Sequence, residues 1–394
     1  FCLARPAARR PALAAGSAAP RRAAAPSMVT SSPKAPGRNP SLASDAGSPV
    51  TLTRFMIEQA MLNVDQEHLQ DLQSLMAAIQ MACKKIAALV QKSGISNLTG
   101  LQEGGGSVNV QGEEQKKLDV ISNEVLKSAL KFSGKMGIVA SEEEDTPVLV
   151  DEMWSGNYIS VFDPLDGSSN IDAGIATGTI FGIFEDTNTC LTEVWEDEVT
   201  EREMQCMTAT MQPGTGLVCS GYCMYSSSTV MVLTFGNGTH GFTLDPEIGE
   251  FIMTHPDIKI PKRGKIYSFN EANEPDWDPV LKQYVQNLKT GKGTSGEKYS
   301  ARYIGSMVAD VHRTLLYGGV FGYPGDAKNP NGKLRLMYEC APMSFLIEQA
   351  GGIATTTEVR CMDVIPTNIH QRVPLVLGSP DDVQELLDMY AAQK

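Results

Sequence analysis

Asp163 and Asp166 lie three residues apart in the run Asp163-Pro164-Leu165-Asp166-Gly167-Ser168-Ser169, with Glu142-Glu143-Glu144 upstream and Glu339 far downstream. Several carboxylates with no histidine or cysteine among them make an oxygen-only ligand set, which suits Mg²⁺ or Mn²⁺ better than zinc. Ions of that kind serve phosphate chemistry, where they neutralise charge on the transferring group. Gly167 permits a close backbone approach, and the Ser168 hydroxyl with the amides of a following helix start would suit a phosphate oxygen. A bare Asp-x-x-Asp is ordinary in surface turns. This one follows an apolar run and is shaped by Pro164 and Gly167, and like charges held together need cations to offset them.

The elements that must position these acids are legible from periodicity. Tyr158 to Phe162 reads as a strand, which Pro164 is expected to end, so that Asp163 and Asp166 both sit in the turn beyond it. Leu69, Leu72, Leu75, Met76, Ile79, Ile86, Leu89 and Val90 recur at helical steps, predicting an amphipathic helix that stops at Gly94. After Gly104-Gly105-Gly106, a second helix is expected from about Glu113 to Phe132, with Asp119 near its start. An acid in the first turns of a helix is also simply favourable there. Thr179 to Phe184 and Thr229 to Phe235 read as strands, and the segment from Tyr222 to Ser228 falls between turn and strand. Val308 to Leu316 and Met343 to Ala350 read as helices, the latter closed by Gly351-Gly352. Val373 to Leu377 is a buried-strand candidate, and Ser379-Pro380 opens a final helix from Asp381 to Tyr390. Helices and strands mixed in this way predict a layered α/β or α+β fold.

The chain has 394 residues and a net charge of −13. Residues 1–50 differ from the rest: they carry Arg5, Arg9, Arg10, Arg21, Arg22, Lys34 and Arg38 against the single acid Asp45, amid Ala, Pro and Ser. That is the composition of an organelle transit peptide followed by a linker. The remainder holds 26 basic and 45 acidic residues, a net charge of −19, which argues against a nucleic-acid partner. No apolar run approaches the roughly 20 residues of a membrane span, so a soluble protein is expected. The chain begins at Phe1 rather than a methionine, and further sequence upstream is expected. Eight cysteines are too few for a disulfide scaffold in a chain of this length. Cys190 and Cys206 stand apart, bracketing Glu193, Glu196, Asp197, Glu198, Glu201 and Glu203 in what reads as an exposed loop.

Four segments together, Asp163 to Asp172 (DPLDGSSNID), Ala301 to Gly319 (ARYIGSMVADVHRTLLYGG), Asn331 to Cys340 (NGKLRLMYEC) and Pro366 to Pro374 (PTNIHQRVP), resemble the fructose-1,6-bisphosphatases. The acidic motif alone is shared with a wider phosphatase superfamily that includes inositol monophosphatases; the other segments are more specific. The resemblance runs from about residue 50 to the end. It implies a layered α-β-α-β-α sandwich of the sugar phosphatase type. Residues 51–260 would form the half with the metal motif and a redox loop at about 186–213, and 261–394 the half with the sugar-phosphate site.

It also implies Mg²⁺-dependent hydrolysis of the 1-phosphate of fructose 1,6-bisphosphate, with a sedoheptulose-1,7-bisphosphatase or a dual-specificity enzyme as the alternative. Two or three Mg²⁺ ions, or Mn²⁺, would be carried by Glu142, Asp163, Asp166, Glu339 and the Leu165 carbonyl, with Glu113 in or beside that shell. Asp119 and Glu143 would steer or deprotonate the attacking water. Asp166, Gly167, Ser168 and Ser169 would meet the reacting phosphate. Asn270, Tyr303, Tyr323, Lys333 and Arg335 would surround the far phosphate, with Arg302 reaching in from a neighbouring subunit of a homotetramer. The Cys190 and Cys206 insertion resembles that of the plastid form, whose thiols thioredoxin reduces, and places the enzyme in the chloroplast stroma. Met211 stands where plastid relatives carry a second partner cysteine, which leaves Cys190 and Cys206 as the implied pair.

Overall fold

Strict alternation of side chains along each strand gives every sheet two faces to cover. β1 (Met136–Ser141), β2 (Val148–Leu149), β3 (Tyr158–Asp166), β4 (Thr177–Glu185), β5 (Leu217–Tyr225), β6 (Thr229–Thr234), β7 (Thr239–Asp245) and β8 (Glu250–Ile258) make an eight-stranded sheet ordered β2-β1-β3-β4-β5-β6-β7-β8. Its pairings are antiparallel except for β1 with β3. β9 (Ile266–Ser268), β10 (Ser300–Ala301), β11 (Val320–Tyr323), β12 (Ile353–Thr355) and β13 (Leu375–Gly378) make a second sheet ordered β10-β9-β11-β13-β12. In it β10, β9 and β11 run parallel. This computed structural model describes residues 49–62, 68–96, 98–101, 116–150, 156–186 and 206–393.

Helices α1 (Leu52–Leu62), α2 (His68–Gln91) and α3 (Lys117–Lys131) pack on the larger sheet. After α4 (Pro279–Thr290) come α5 (Met307–Tyr317) and α6 (Ala341–Gln349), which touch strands of both sheets, and α7 (Pro380–Ala391), which pairs with α4 and lies on β12 and β13. The layers are therefore α-β-α-β-α, the expected sandwich. The two-residue period shows in the second sheet: Phe321, Leu375 and Leu377 share a buried cluster with Met307, Val311, Met343 and Leu346. Their neighbours Val320 and Val376 point the other way, into a cluster with Leu281, Tyr284 and Leu386.

Local chemistry sets the element ends. Asp278 caps α4 by accepting from the N–H groups of Val280 (2.7 Å) and Leu281 (3.0 Å), Pro279 follows, and left-handed Gly291 (φ 71°) closes it. Asp119 is the third residue of α3, and its Oδ2 accepts the Lys116 N–H at 2.8 Å.

Two expectations need correction. Pro164 does not end β3; the strand runs through to Asp166, with a register shift between Asp163 and Asp166 opposite β4. A bulge tolerates a residue without an N–H, so the proline reshapes the strand instead of stopping it. Tyr222 to Tyr225 likewise belong to buried β5 and not to a turn.

Gly319 opens β11 with φ 99°, and a Cβ there would stand 2.0 Å from the Ile266 carbonyl oxygen of β9. We expect Gly319→Ala to cost about 3 kcal/mol or more, seen as a lower urea midpoint. An unchanged midpoint would mean that β9 and β11 tolerate separation.

Candidate active site

β3 presents Asp163 and Asp166 on either side of its bulge, and a π-type turn at Leu336–Cys340 brings Glu339 to meet them. One carboxylate oxygen of each lies within 4.8 Å of the others, and all three residues are buried. Each is held by N–H or O–H donors. Asp163 Oδ1 accepts from the Leu165 N–H (2.9 Å). Asp166 Oδ2 accepts from the Ser306 hydroxyl (3.0 Å) and the Val308 N–H (2.8 Å), at the positive first turn of α5. Glu339 Oε2 accepts from the Arg335 N–H (2.6 Å). Gly167 follows with φ 74°, and a Cβ there would meet the Ser306 Cβ at 2.8 Å, so only glycine fits between β3 and the start of α5.

Glu142 follows β1 directly, its N–H bonded to the Phe162 carbonyl of β3 (3.1 Å) and its carboxylate paired with Arg335 Nη1 at 2.8 Å. Burial, then the Glu142 charge, pushes the Asp163 carboxyl well above the ordinary range and that of Glu339 up to about 8. Burial pushes Asp166 up to about 6 despite its three hydrogen bonds from the start of α5. At about 8, Glu339 keeps its proton at neutral pH unless a cation offsets the charge of the cluster. The oxygen donors, their convergence and their reluctance to ionise fit a hard divalent ion.

Asp119 is 3% exposed, with the Ser168 hydroxyl beside its carboxylate. Burial raises its carboxyl to about 7, the Lys116 N–H opposes that, and the charges of Glu143 and Glu142 add to it. Half-buried Glu143 is anchored by its own N–H on the Ser141 hydroxyl (3.2 Å). Ser168 and Ser169 begin a short 3₁₀ turn after Gly167, the first half-buried and the second exposed.

The proposed sugar-phosphate residues gather by topology. β10, β9 and β11 are parallel neighbours, so their carboxyl ends share one edge: Arg302 and Tyr303 follow β10, Asn270 follows β9, and Tyr323 ends β11. Burial raises the Tyr303 phenol, and nearby Tyr323, Asp310 and Asp166 raise it further, which places Tyr303 within electrostatic reach of the acid cage. Asn270 Oδ1 caps the next turn through the Ala272 N–H (3.3 Å). Arg302 and Lys333 are exposed.

Not every expected residue lands in its expected role. Arg335, expected near the far phosphate, is paired with Glu142. Cys206, read as the end of an exposed loop, is 1% exposed and packs in the central apolar cluster, because the helical turn 206–210 folds back on the sheet. Glu113 and Cys190 lie outside the described residues. Ser306, Asp310 and Arg313 were missed, although Asp310 and Arg313 stand one helical turn apart, the spacing of an intrahelical ion pair.

Comparison with known proteins agrees with this arrangement. The family model described as "Fructose-1-6-bisphosphatase, N-terminal domain" matches residues 50–256, and its C-terminal counterpart matches 260–391. The chain is 57% identical over 338 residues to the chloroplastic fructose-1,6-bisphosphatase of Brassica napus, covering 85% of this chain and 80% of that protein. It is 52% identical over 376 residues to the chloroplastic protein of Oryza sativa subsp. indica, covering 95% and 90%. The crystal structure of Leishmania major fructose-1,6-bisphosphatase in holo form is similar with a TM-score of 0.79 and 41% identity, over 87% of this chain and 99% of that one. With both halves matched in order and relatives above half identity along most of its length, the chain belongs to the fructose-1,6-bisphosphatase family.

Proposed function

We propose that this protein removes the 1-phosphate of fructose 1,6-bisphosphate, yielding fructose 6-phosphate and phosphate, in the chloroplast stroma. The observation that carries the reading is the buried convergence of Asp163, Asp166 and Glu339 beside an edge of phenols, an amide and cations. The chloroplastic names of the relatives and the basic residues of 1–50 support the compartment, with that segment read as a transit peptide and linker. Residues 51–260 would supply most of the metal and water chemistry and 261–394 the sugar-phosphate grip.

Two or three Mg²⁺ ions held by Glu142, Asp163, Asp166, Glu339 and the Leu165 carbonyl, with Glu113 beside them, would polarise the phosphoryl oxygens and offset charge on the leaving alkoxide. Leu165 suits that task because it lies between the paired positions of β3, outside the register with β4. Asp119 would take the proton of the attacking water, for which a carboxyl near 7 is well matched to neutral pH. Burial keeps that carboxyl high, and the Glu143 charge adds to it. Gly167, Ser168 and Ser169 would meet the reacting phosphate, while Asn270, Tyr303, Tyr323 and Lys333, with Arg302 of a second copy in a homotetramer, would fix the far one. Freed from Glu142, Arg335 would join them.

Pairing of Cys190 with Cys206, broken by thioredoxin, is proposed as the control. Cys206 is buried, so reaction at its sulfur requires its segment to lift. That segment leads to Gly214, where an added Cβ would lie 3.2 Å from that of Ala341, the first residue of α6 after the turn bearing Glu339. Lifting it would loosen a metal ligand.

Three outcomes follow. The chain from about residue 50 onward should release phosphate from fructose 1,6-bisphosphate with Mg²⁺, faster after reduction, and more slowly from sedoheptulose 1,7-bisphosphate; release from neither sugar would refute the reading. Asp119→Asn should lower kcat by a factor on the order of 10² to 10⁴ with KM little changed, whereas near-normal turnover would leave Asp119 a helix cap alone. The third concerns pH. Burial raises Asp166 to about 6 and Glu339 to about 8 from ordinary values of 3.8 and 4.5, so their contribution to stability is full below the lower values and is lost as pH rises through the higher ones. The thermal midpoint of metal-free protein should therefore fall between about pH 4 and pH 8, and Mg²⁺ should raise it more at the alkaline end; a Mg²⁺ effect independent of pH would count against the cage.

A further inference from the structure

Between the far-phosphate edge and the acid cage lies the short segment from Arg302 to Ser306, and one ion pair on α5 fastens it. Arg313 Nη2 donates to three acceptors: the Ser268 hydroxyl at the end of β9 (2.6 Å), the Arg302 carbonyl (2.9 Å) and Asp310 Oδ1 (2.5 Å). Asp310, with a fully buried side chain, accepts from the N–H of Ile304 (3.1 and 3.0 Å) and of Gly305 (3.1 Å). The next residues, Ser306 and Val308, are those that hold Asp166. Asn170 Nδ2 also donates to the Gly305 carbonyl at 3.1 Å, tying the same segment to the turn after Gly167.

We propose that Asp310 and Arg313 are a positioning pair that couples the far-phosphate site to the metal cage, so that filling either raises affinity at the other. The inference rests on the site reading given above. Tyr303 sits in the middle of a stretch whose backbone is bonded at Arg302, Ile304 and Gly305 to this one pair. A shift of Tyr303 onto a phosphate is therefore passed to Gly305 and Ser306, and from there to the Asp166 carboxylate. An ion pair that served only to attach α5 would have no need of these particular acceptors. Here every group it uses lies on the segment bearing Arg302 and Tyr303 or at the strand end leading to Asn270. Neither residue touches the reacting atoms; both act through Asp166 and Tyr303.

The test is Mn²⁺ binding to the metal-free full chain, measured by titration calorimetry with and without saturating fructose 6-phosphate, a probe that carries the far phosphate alone. In the wild type the sugar phosphate should tighten Mn²⁺ on the order of 10-fold, and Mn²⁺ should tighten the sugar phosphate by the same factor. Arg313→Met should reduce that factor to below about threefold, and Arg313→Lys should restore part of it. Ser268→Ala, which deletes one acceptor and leaves the ion pair in place, provides a milder variant should Arg313→Met fold poorly, and it should lower the factor in the same direction. In steady state KM and the half-saturating Mg²⁺ concentration should rise together, with kcat less affected. Variants that melt earlier but keep full coupling would overturn the proposal and leave the pair a fastening of α5. A wild type that binds both ligands without mutual effect would overturn it too, leaving the site reading intact; a wild type that binds neither would refute that reading itself.

Discussion

Three carboxylates buried close enough to share one ion repel each other and have lost most of their water, and the rest of the molecule is arranged to withstand that. Left to themselves such groups protonate, as the upward displacement of Asp163, Asp166 and Glu339 records. The fold opposes the tendency with directed dipoles at Asp163 and Asp166, and at Glu339 with the Arg335 charge as well. Asp166 faces the first turn of α5, Asp163 turns back on the Leu165 N–H, and Glu339 on the Arg335 N–H. Arg335 provides a cation, paired with Glu142 and felt by Glu339 too. A divalent ion would supply the positive charge that these groups do not.

The sandwich makes this arrangement possible because its middle layer is helical. α5 and α6 both touch the two sheets; α5 directs its amino-terminal end toward Asp166, and Glu339 lies in the turn that runs on into α6. A helix start offers free N–H groups and positive potential, and shielding by a sheet on either side keeps that potential from being screened by water. The second sheet aims the carboxyl ends of three parallel strands in one direction, so the residues that follow them gather without any long loop having to be ordered. Two kinds of site, one of acids and one of phenols and cations, thus meet along a single helix.

Much of this was readable in the chain. Apolar periodicity located α2, α5, α6 and α7 to within a few residues, and the Asp163 to Ser169 motif pointed to its own chemistry. The failures have physical reasons. Proline was taken as a strand terminator, whereas tertiary pairing with β4 absorbed it in a bulge. β5 was missed in part because a strand buried on both faces loses its alternation and resembles any apolar run. The pairing of Glu142 with Arg335 joins distant parts of the chain and leaves no local trace. The Asp310 and Arg313 pair did leave one, at helical spacing, but ion pairs at that spacing are so common on exposed helices that the signal carried no sign of being buried.

The contact between Asp166 and Ser306 spans 140 residues of chain. During synthesis the amino-terminal sheet can assemble while the residues that will cap Asp166 and bring Glu339 have yet to emerge from the ribosome. Non-local pairings of this kind are formed late and slowly. Until α5 is made, Asp166 lacks the Ser306 and Val308 donors that hold it. The two acids of β3 therefore meet Glu339 only once the carboxyl-terminal part of the chain is in place.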